Sequence, residues 1–102
     1  MKLKLFNHPK FGKIRVIFIN GEPWFVAVDV CKCLDIVRAS DAISSLDEDE
    51  KTRIISVVGI SYYRDDAGFR ELYANPQGFN VISESGLYSL ILRSRKPEAK
   101  EL

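Results

Sequence analysis

The stretch Lys13-Ile14-Arg15-Val16-Ile17-Phe18-Ile19-Asn20-Gly21-Glu22-Pro23-Trp24-Phe25-Val26-Ala27-Val28-Asp29-Val30-Cys31-Lys32-Cys33-Leu34 decides the fold. Lys13 to Ile19 is β-branched almost throughout, which suits a strand. Its apolar residues occupy both faces, which places it centrally in a sheet. Asn20-Gly21 is the strongest short hairpin signal, because both residues tolerate positive φ. Trp24-Phe25-Val26 then returns as the partner strand. From about Val28 to Leu34 the period changes to that of a helix. Ala27, Val30, Cys31 and Leu34 fall at i, i+3, i+4 and i+7, which makes one buried stripe with Asp29 and Lys32 facing out.

On the N-terminal side, Lys2-Leu3-Lys4-Leu5-Phe6 alternates polar and apolar, as a half-buried edge strand does. Lysines on such an edge discourage strand-to-strand aggregation. His8-Pro9-Lys10-Phe11-Gly12 reads as a turn. On the C-terminal side, Ser40 is a plausible N-cap for a second short helix, with Asp41 behind it and Ala42, Ile43 and Leu46 on its apolar face. Asp47-Glu48-Asp49-Glu50-Lys51 is an exposed acidic turn, expected to point away from any phosphate. Arg53 to Val58 reads as a strand, Tyr62 to Gly68 as a polar loop, and Arg70 to Ala74 as another strand. Asn75-Pro76-Gln77-Gly78 breaks it, and Phe79 to Ile82 is the last strand. The order β-β-β-α-α-β-β-β-α predicts a single α+β domain, a mostly antiparallel sheet with three short helices.

The last strand feeds Ser83-Glu84-Ser85-Gly86-Leu87-Tyr88-Ser89-Leu90-Ile91-Leu92-Arg93. Ser83 is a natural N-cap, and Glu84 puts negative charge at the positive end of a helix. Leu87, Leu90 and Ile91 make its apolar face. Arg93, Arg95 and Lys96 suit the negative end of the dipole. Pro97 ends this helix. Pro97 to Leu102 has the chemistry of a new helix start, with Pro in the first turn and Glu98 beside it. The expectation is that 1–102 is the N-terminal fragment of a longer protein, cut just inside that helix.

At 102 residues the chain is one domain by length. Hydrophobic residues at 46% and charged ones at 28% fit an ordinary soluble globular class and argue against disorder. No apolar run approaches the roughly 20 residues of a spanning helix, and the N-terminus lacks a signal-peptide core. The expected location is cytoplasmic. Net charge is +1, so its distribution matters more than its sum. Residues 2–15 hold Lys2, Lys4, Lys10, Lys13 and Arg15 with no acid, and Arg93, Arg95, Lys96 and Lys100 cluster against Glu98 alone.

An enzyme is hard to build from this inventory. His8 is the sole histidine and lies in a turn. Cys31 and Cys33, the only cysteines, point about 200° apart on a helix, so buried thiols are expected rather than a disulfide. These residues cannot make a structural zinc site alone. Asp65-Asp66 is a weak cation signal, and a solvated loop explains it better. No metal and no cofactor are expected. A binding module fits better. Lys10, Lys13, Arg15, Arg93, Arg95 and Lys96 can neutralise phosphates, although helix C-terminal charge matching alone also accounts for the last three. Trp24, Tyr62 and Tyr63 are candidates for base stacking or partner contact, against ordinary half-buried packing. The two short helices look superficially like a helix-turn-helix. The second, however, offers Asp41, Ser44 and Ser45 where a recognition helix usually offers Arg, Lys, Asn or Gln.

The end of the chain, ISESGLYSLILRSRKPEAK, resembles the end of the Bro-N domain, the N-terminal module of baculovirus Bro proteins and of many phage antirepressors. Gly21-Glu22-Pro23-Trp24-Phe25-Val26-Ala27-Val28-Asp29-Val30-Cys31 resembles that family's strand-to-helix signature, and Asp47 to Lys51 its acidic connector. All three occur in family order and span nearly the whole chain. Ser83 stands where the family commonly has Asn, and Asp35-Ile36 replaces a frequent Gly-aromatic pair. The resemblance implies a nucleic-acid-binding module of a prophage antirepressor-like transcription regulator, with DNA, double- or single-stranded, as partner. The competing reading is a protein-interaction module that holds a phage repressor or a second copy of itself as a homo-oligomer. The first predicts a clustered positive face, the second an exposed apolar patch.

Overall fold

A hairpin turn at Asn20-Gly21 organises the sheet as the sequence predicts: both residues have positive φ, 52° and 82°. This computed structural model describes residues 2–9, 12–55 and 77–94, the side chains of Lys2 and His8 excepted. The expected strand at Arg70–Ala74, the loop carrying Tyr62 and Tyr63, the strand beyond Ile55 and the helix start at Pro97 lie outside the described residues.

The turn joins β2 (Gly12–Ile19) to β3 (Glu22–Val26), with Ile19 paired to Glu22 and Val16 to Phe25. β1 (Lys2–His8) lines the outer edge of β2. β4 (Lys51–Ile54) and β5 (Phe79–Ile82) complete a sheet of order β1-β2-β3-β5-β4, antiparallel at every junction. The β2 strand is central, which is why its two faces are both apolar.

Those faces feed two clusters. Ile14 and Val16 point at the helices and pack with Ala27, Val30, Cys31, Leu34, Ile82 and Leu90. Ile17 points the other way and packs with Val26, Ile54, Phe79 and Val81. Ile17, Val26, Val30, Val81, Ile82 and Leu90 are wholly buried. Each such side chain is worth about 1.5–3 kcal/mol relative to exposure. Gly78 fits this packing for want of a side chain: its φ is +78° and a Cβ there would meet the Ile54 carbonyl oxygen at 2.2 Å.

Helix α1 spans Ala27–Cys33, one residue earlier than the periodicity suggests, and its stripe Ala27, Val30, Cys31 and Leu34 is buried. Asp29 does not face out as expected; it turns onto β2 and takes Arg15. Asp35 follows with φ 55°, the left-handed conformation that ends helices and that glycine usually supplies. Helix α2 spans Ala39–Ser44. Ser40 does not cap it: Arg38 is the N-cap, without a side-chain bond, because the helix begins one residue before Ser40. The acidic turn is a short 3-10 helix, Glu48–Glu50, in which the Asp47 N–H donates to Glu50 Oε1 at 3.0 Å. Helix α3 spans Glu84–Arg93 and is capped as expected, the Gly86 N–H donating to Ser83 Oγ at 3.1 Å. The fold is α+β, and among the described residues no helix is long and apolar enough to cross a membrane.

Candidate nucleic-acid interface

Two contacts stitch the end of α3 to the ends of the other helices. Ser94 Oγ donates to the Leu34 carbonyl at 3.0 Å, just past α1. The Arg93 guanidinium donates to Ser45 Oγ, just past α2. Three exposed cations lie on these helices: Lys32 in the last turn of α1, Arg38 at the N-cap of α2, at the end away from Ser45, and Arg93 in the last turn of α3. Arg38 lies 3.9 Å from Asp41, but both side chains are largely in water, so that pair restrains the cation little. Asp35 is also exposed in this connector.

The opposite end of α3 is acidic. Glu50 sits beneath it, its carboxylate accepting from Ser85 Oγ at 2.6 Å and Ser89 Oγ at 3.4 Å. The Ser85 hydroxyl, then the Asp47 N–H, hold the Glu50 carboxyl below the usual carboxylate range. Glu84 adds a second negative charge and accepts from the Tyr88 hydroxyl at 2.9 Å, which pushes the Tyr88 phenol upward. Helix α3 thus runs from an acidic start to a basic end.

The site residues expected from sequence fall into three groups. Lys13 is exposed at the start of β2, opposite Asn7, and Arg93 joins the cation group just described. Arg15 has another occupation, because its guanidinium is bound side-on by Asp29 and only 15% exposed. Trp24 is half-buried and packs on the second core cluster, which consumes part of the face that a partner would use. Lys10, Arg95, Lys96, Tyr62 and Tyr63 lie outside the described residues. Lys32 and Arg38 escape a linear reading because each is a lone cation in its own segment. The Ser94–Leu34 bond ties the end of α1, which carries Lys32, to the end of α3, which carries Arg93.

Sequence reasoning also misses a groove of about 400 Å³ between β1 and α3, within the range of ligand and side-chain pockets. Ile14 and Val16 line it with Phe18, Phe25, Leu87 and Tyr88. Tyr88, which falls off the Leu87–Leu90–Ile91 face, is exposed beside the groove, whose other wall depends on where β1 lies. Among the described residues no three His, Cys, Asp or Glu side chains converge to hold a metal. Cys31 and Cys33 are buried, and burial pushes the Cys31 thiol up, away from the reactive thiolate.

The model of the BRO family, N-terminal domain (Bro-N), matches residues 13–102. The chain belongs to the Bro-N family. Comparison with curated proteins finds no match, and neither does comparison with solved structures.

Proposed function

We propose that this chain is the nucleic-acid-binding N-terminal module of an antirepressor-like transcription regulator of prophage type, acting in the cytoplasm and without catalysis of its own. The observation that carries the reading is the cation group of Lys32, Arg38 and Arg93, with Arg95 and Lys96 next in sequence. Membership of the Bro-N family supports it. Cations at the linked ends of α1 and α3, with Glu50 and Glu84 at the other end of α3, form a field that attracts a phosphate backbone. Phosphate contacts of this kind position a protein on nucleic acid without reading sequence. Arg15 serves by holding α1 on β2 rather than by touching phosphate, and Lys13 is a flanking contact. The test is a binding titration with a labelled duplex and a labelled single strand at several salt concentrations. Binding that weakens steeply with salt supports the reading; no binding to either at low salt refutes it.

The second reading, a protein-interaction module for a repressor, is favoured by the apolar groove. It predicts salt-insensitive association with a protein partner and none with nucleic acid.

A further inference from the structure

The surface around the groove is built in two halves that fit one another. One rim, on β1, carries Lys4 and Phe6; the other, on α3, carries Glu84 and Tyr88. Each rim therefore offers one charge and one aromatic ring, and the charges are opposite. The α3 rim continues as a ridge, because Glu84, Tyr88 and Leu92 lie at i, i+4 and i+8 along one side of the helix. Tyr88 is 52% exposed and Leu92 79% exposed. A protruding apolar ridge and an apolar hollow thus stand side by side on one face.

We propose that this face is a homodimer interface, in which each copy sets Tyr88 and Leu92 into the groove of the other. Ridge beside groove is what a two-fold contact requires, since the same patch must be both donor and receiver. The charges select the axis. A two-fold axis lying in the interface and parallel to the groove brings the Lys4 rim of one copy against the Glu84 rim of the next. An axis across the groove would set Lys4 on Lys4 and Glu84 on Glu84, which is repulsive. A nucleic acid suits the hollow less well, because Glu84 stands on its rim and the described floor residues Ile14, Val16, Phe18, Phe25 and Leu87 carry apolar side chains. The inference rests on observations other than those behind the nucleic-acid reading: the groove and its Lys4 and Glu84 rims, although the ridge ends at Leu92, next to Arg93.

The test is sedimentation of the whole chain across low- to high-micromolar protein, with circular dichroism to follow folding. The expected result is a concentration-dependent dimer. Leu92→Glu should be monomeric and folded, since Leu92 is exposed. Lys4→Glu and Glu84→Lys should each weaken the dimer about tenfold, and the double reversal should restore it. A wild-type monomer at all concentrations overturns the proposal. So does a dimer indifferent to Leu92→Glu and Tyr88→Ala, or charge reversals that add instead of compensating. A monomer whose Tyr88→Ala variant loses nucleic acid, or a different protein, would assign the groove to that partner and overturn it likewise.

Discussion

The Asp29 carboxylate holds Arg15 at three points. Its Oδ2 accepts the Arg15 backbone N–H at 2.9 Å and the Nε–H at 2.7 Å, and its Oδ1 accepts Nη2–H at 2.7 Å. The β2–β3 register ends at Val16 and Phe25. One residue further along β2, the Arg15 N–H finds a carboxylate from α1 where a strand would otherwise stand. The pair therefore does for α1 what a ladder does for a strand: it fixes the helix against β2, the neighbour of the strand it has just left. Both side chains are largely shielded, at 15% and 12% exposure, so water competes weakly for either partner.

Asp29→Ala should destabilise the domain by about 2–4 kcal/mol, because it removes three hydrogen bonds from a shielded Arg15, one of them from its backbone N–H. Arg15→Met should cost less, since it removes the cation and keeps the packing of its stem. Urea unfolding of the two variants checks the order. Equal losses, or an Asp29→Ala effect within about 0.5 kcal/mol of zero, would contradict the clamp.

Gly86 lets α3 sit directly on the 3-10 helix. A Cβ there would come 2.8 Å from the Glu50 carbonyl oxygen and 3.3 Å from Ile82 Cβ. The same carbonyl oxygen accepts the Ser83 N–H at 2.9 Å, so it is not free to retreat. Gly86→Ala gains about 1 kcal/mol of helix propensity, yet overpacking of about 1–3 kcal/mol should outweigh it. The expected outcome is a lower melting temperature. A higher one would mean that α3 can rise off Glu50 without loss.

Glu50 makes stability depend on pH in a defined direction. Its folded pKa lies below its unfolded one, because the Ser85 hydroxyl and the Asp47 N–H favour the charged form. Its contribution is therefore complete above the unfolded carboxylate range and disappears as pH falls through the folded value. Glu50→Gln should melt below wild type at neutral pH, and the gap should close in acid. A gap that is constant from neutral to strongly acidic pH would show that the carboxylate charge is not what holds α3.

Much of this architecture was legible in the chain. The β2–β3 hairpin and its turn followed from β-branched residues meeting Asn20-Gly21, and the Ser83 cap and the α3 core face followed from spacing. What failed was local orientation. Asp29 looked solvent-facing because a helical wheel knows nothing of the strand beside it. Ser40 looked like a cap because its hydroxyl suits one, yet α2 starts a residue sooner. The candidate site was less legible still. Arg93 stood out, but the end of α1, which carries Lys32, is tied to the end of α3 only through the Ser94–Leu34 bond, which joins residues far apart in sequence. Arg15 stood out as one of a run of cations, but the carboxylate it holds lies fourteen positions away on the next helix and could not be read beside it.

The central claim is that the basic end of α3 meets a phosphate backbone, and the salt slope of binding measures it most directly. Log affinity for a duplex should fall linearly with log salt for the wild-type chain, with a slope set by the number of phosphates neutralised. Arg93→Ala with Arg95→Ala should bind more weakly and lower that slope by about one unit per lost phosphate contact. Lys51→Ala is the control: its ammonium is turned to the Ser44 carbonyl at 3.3 Å and to Glu48 at 3.9 Å, so its slope should match wild type. Equal affinities and equal slopes for the wild type and the double variant would contradict the account and leave the groove as the working surface.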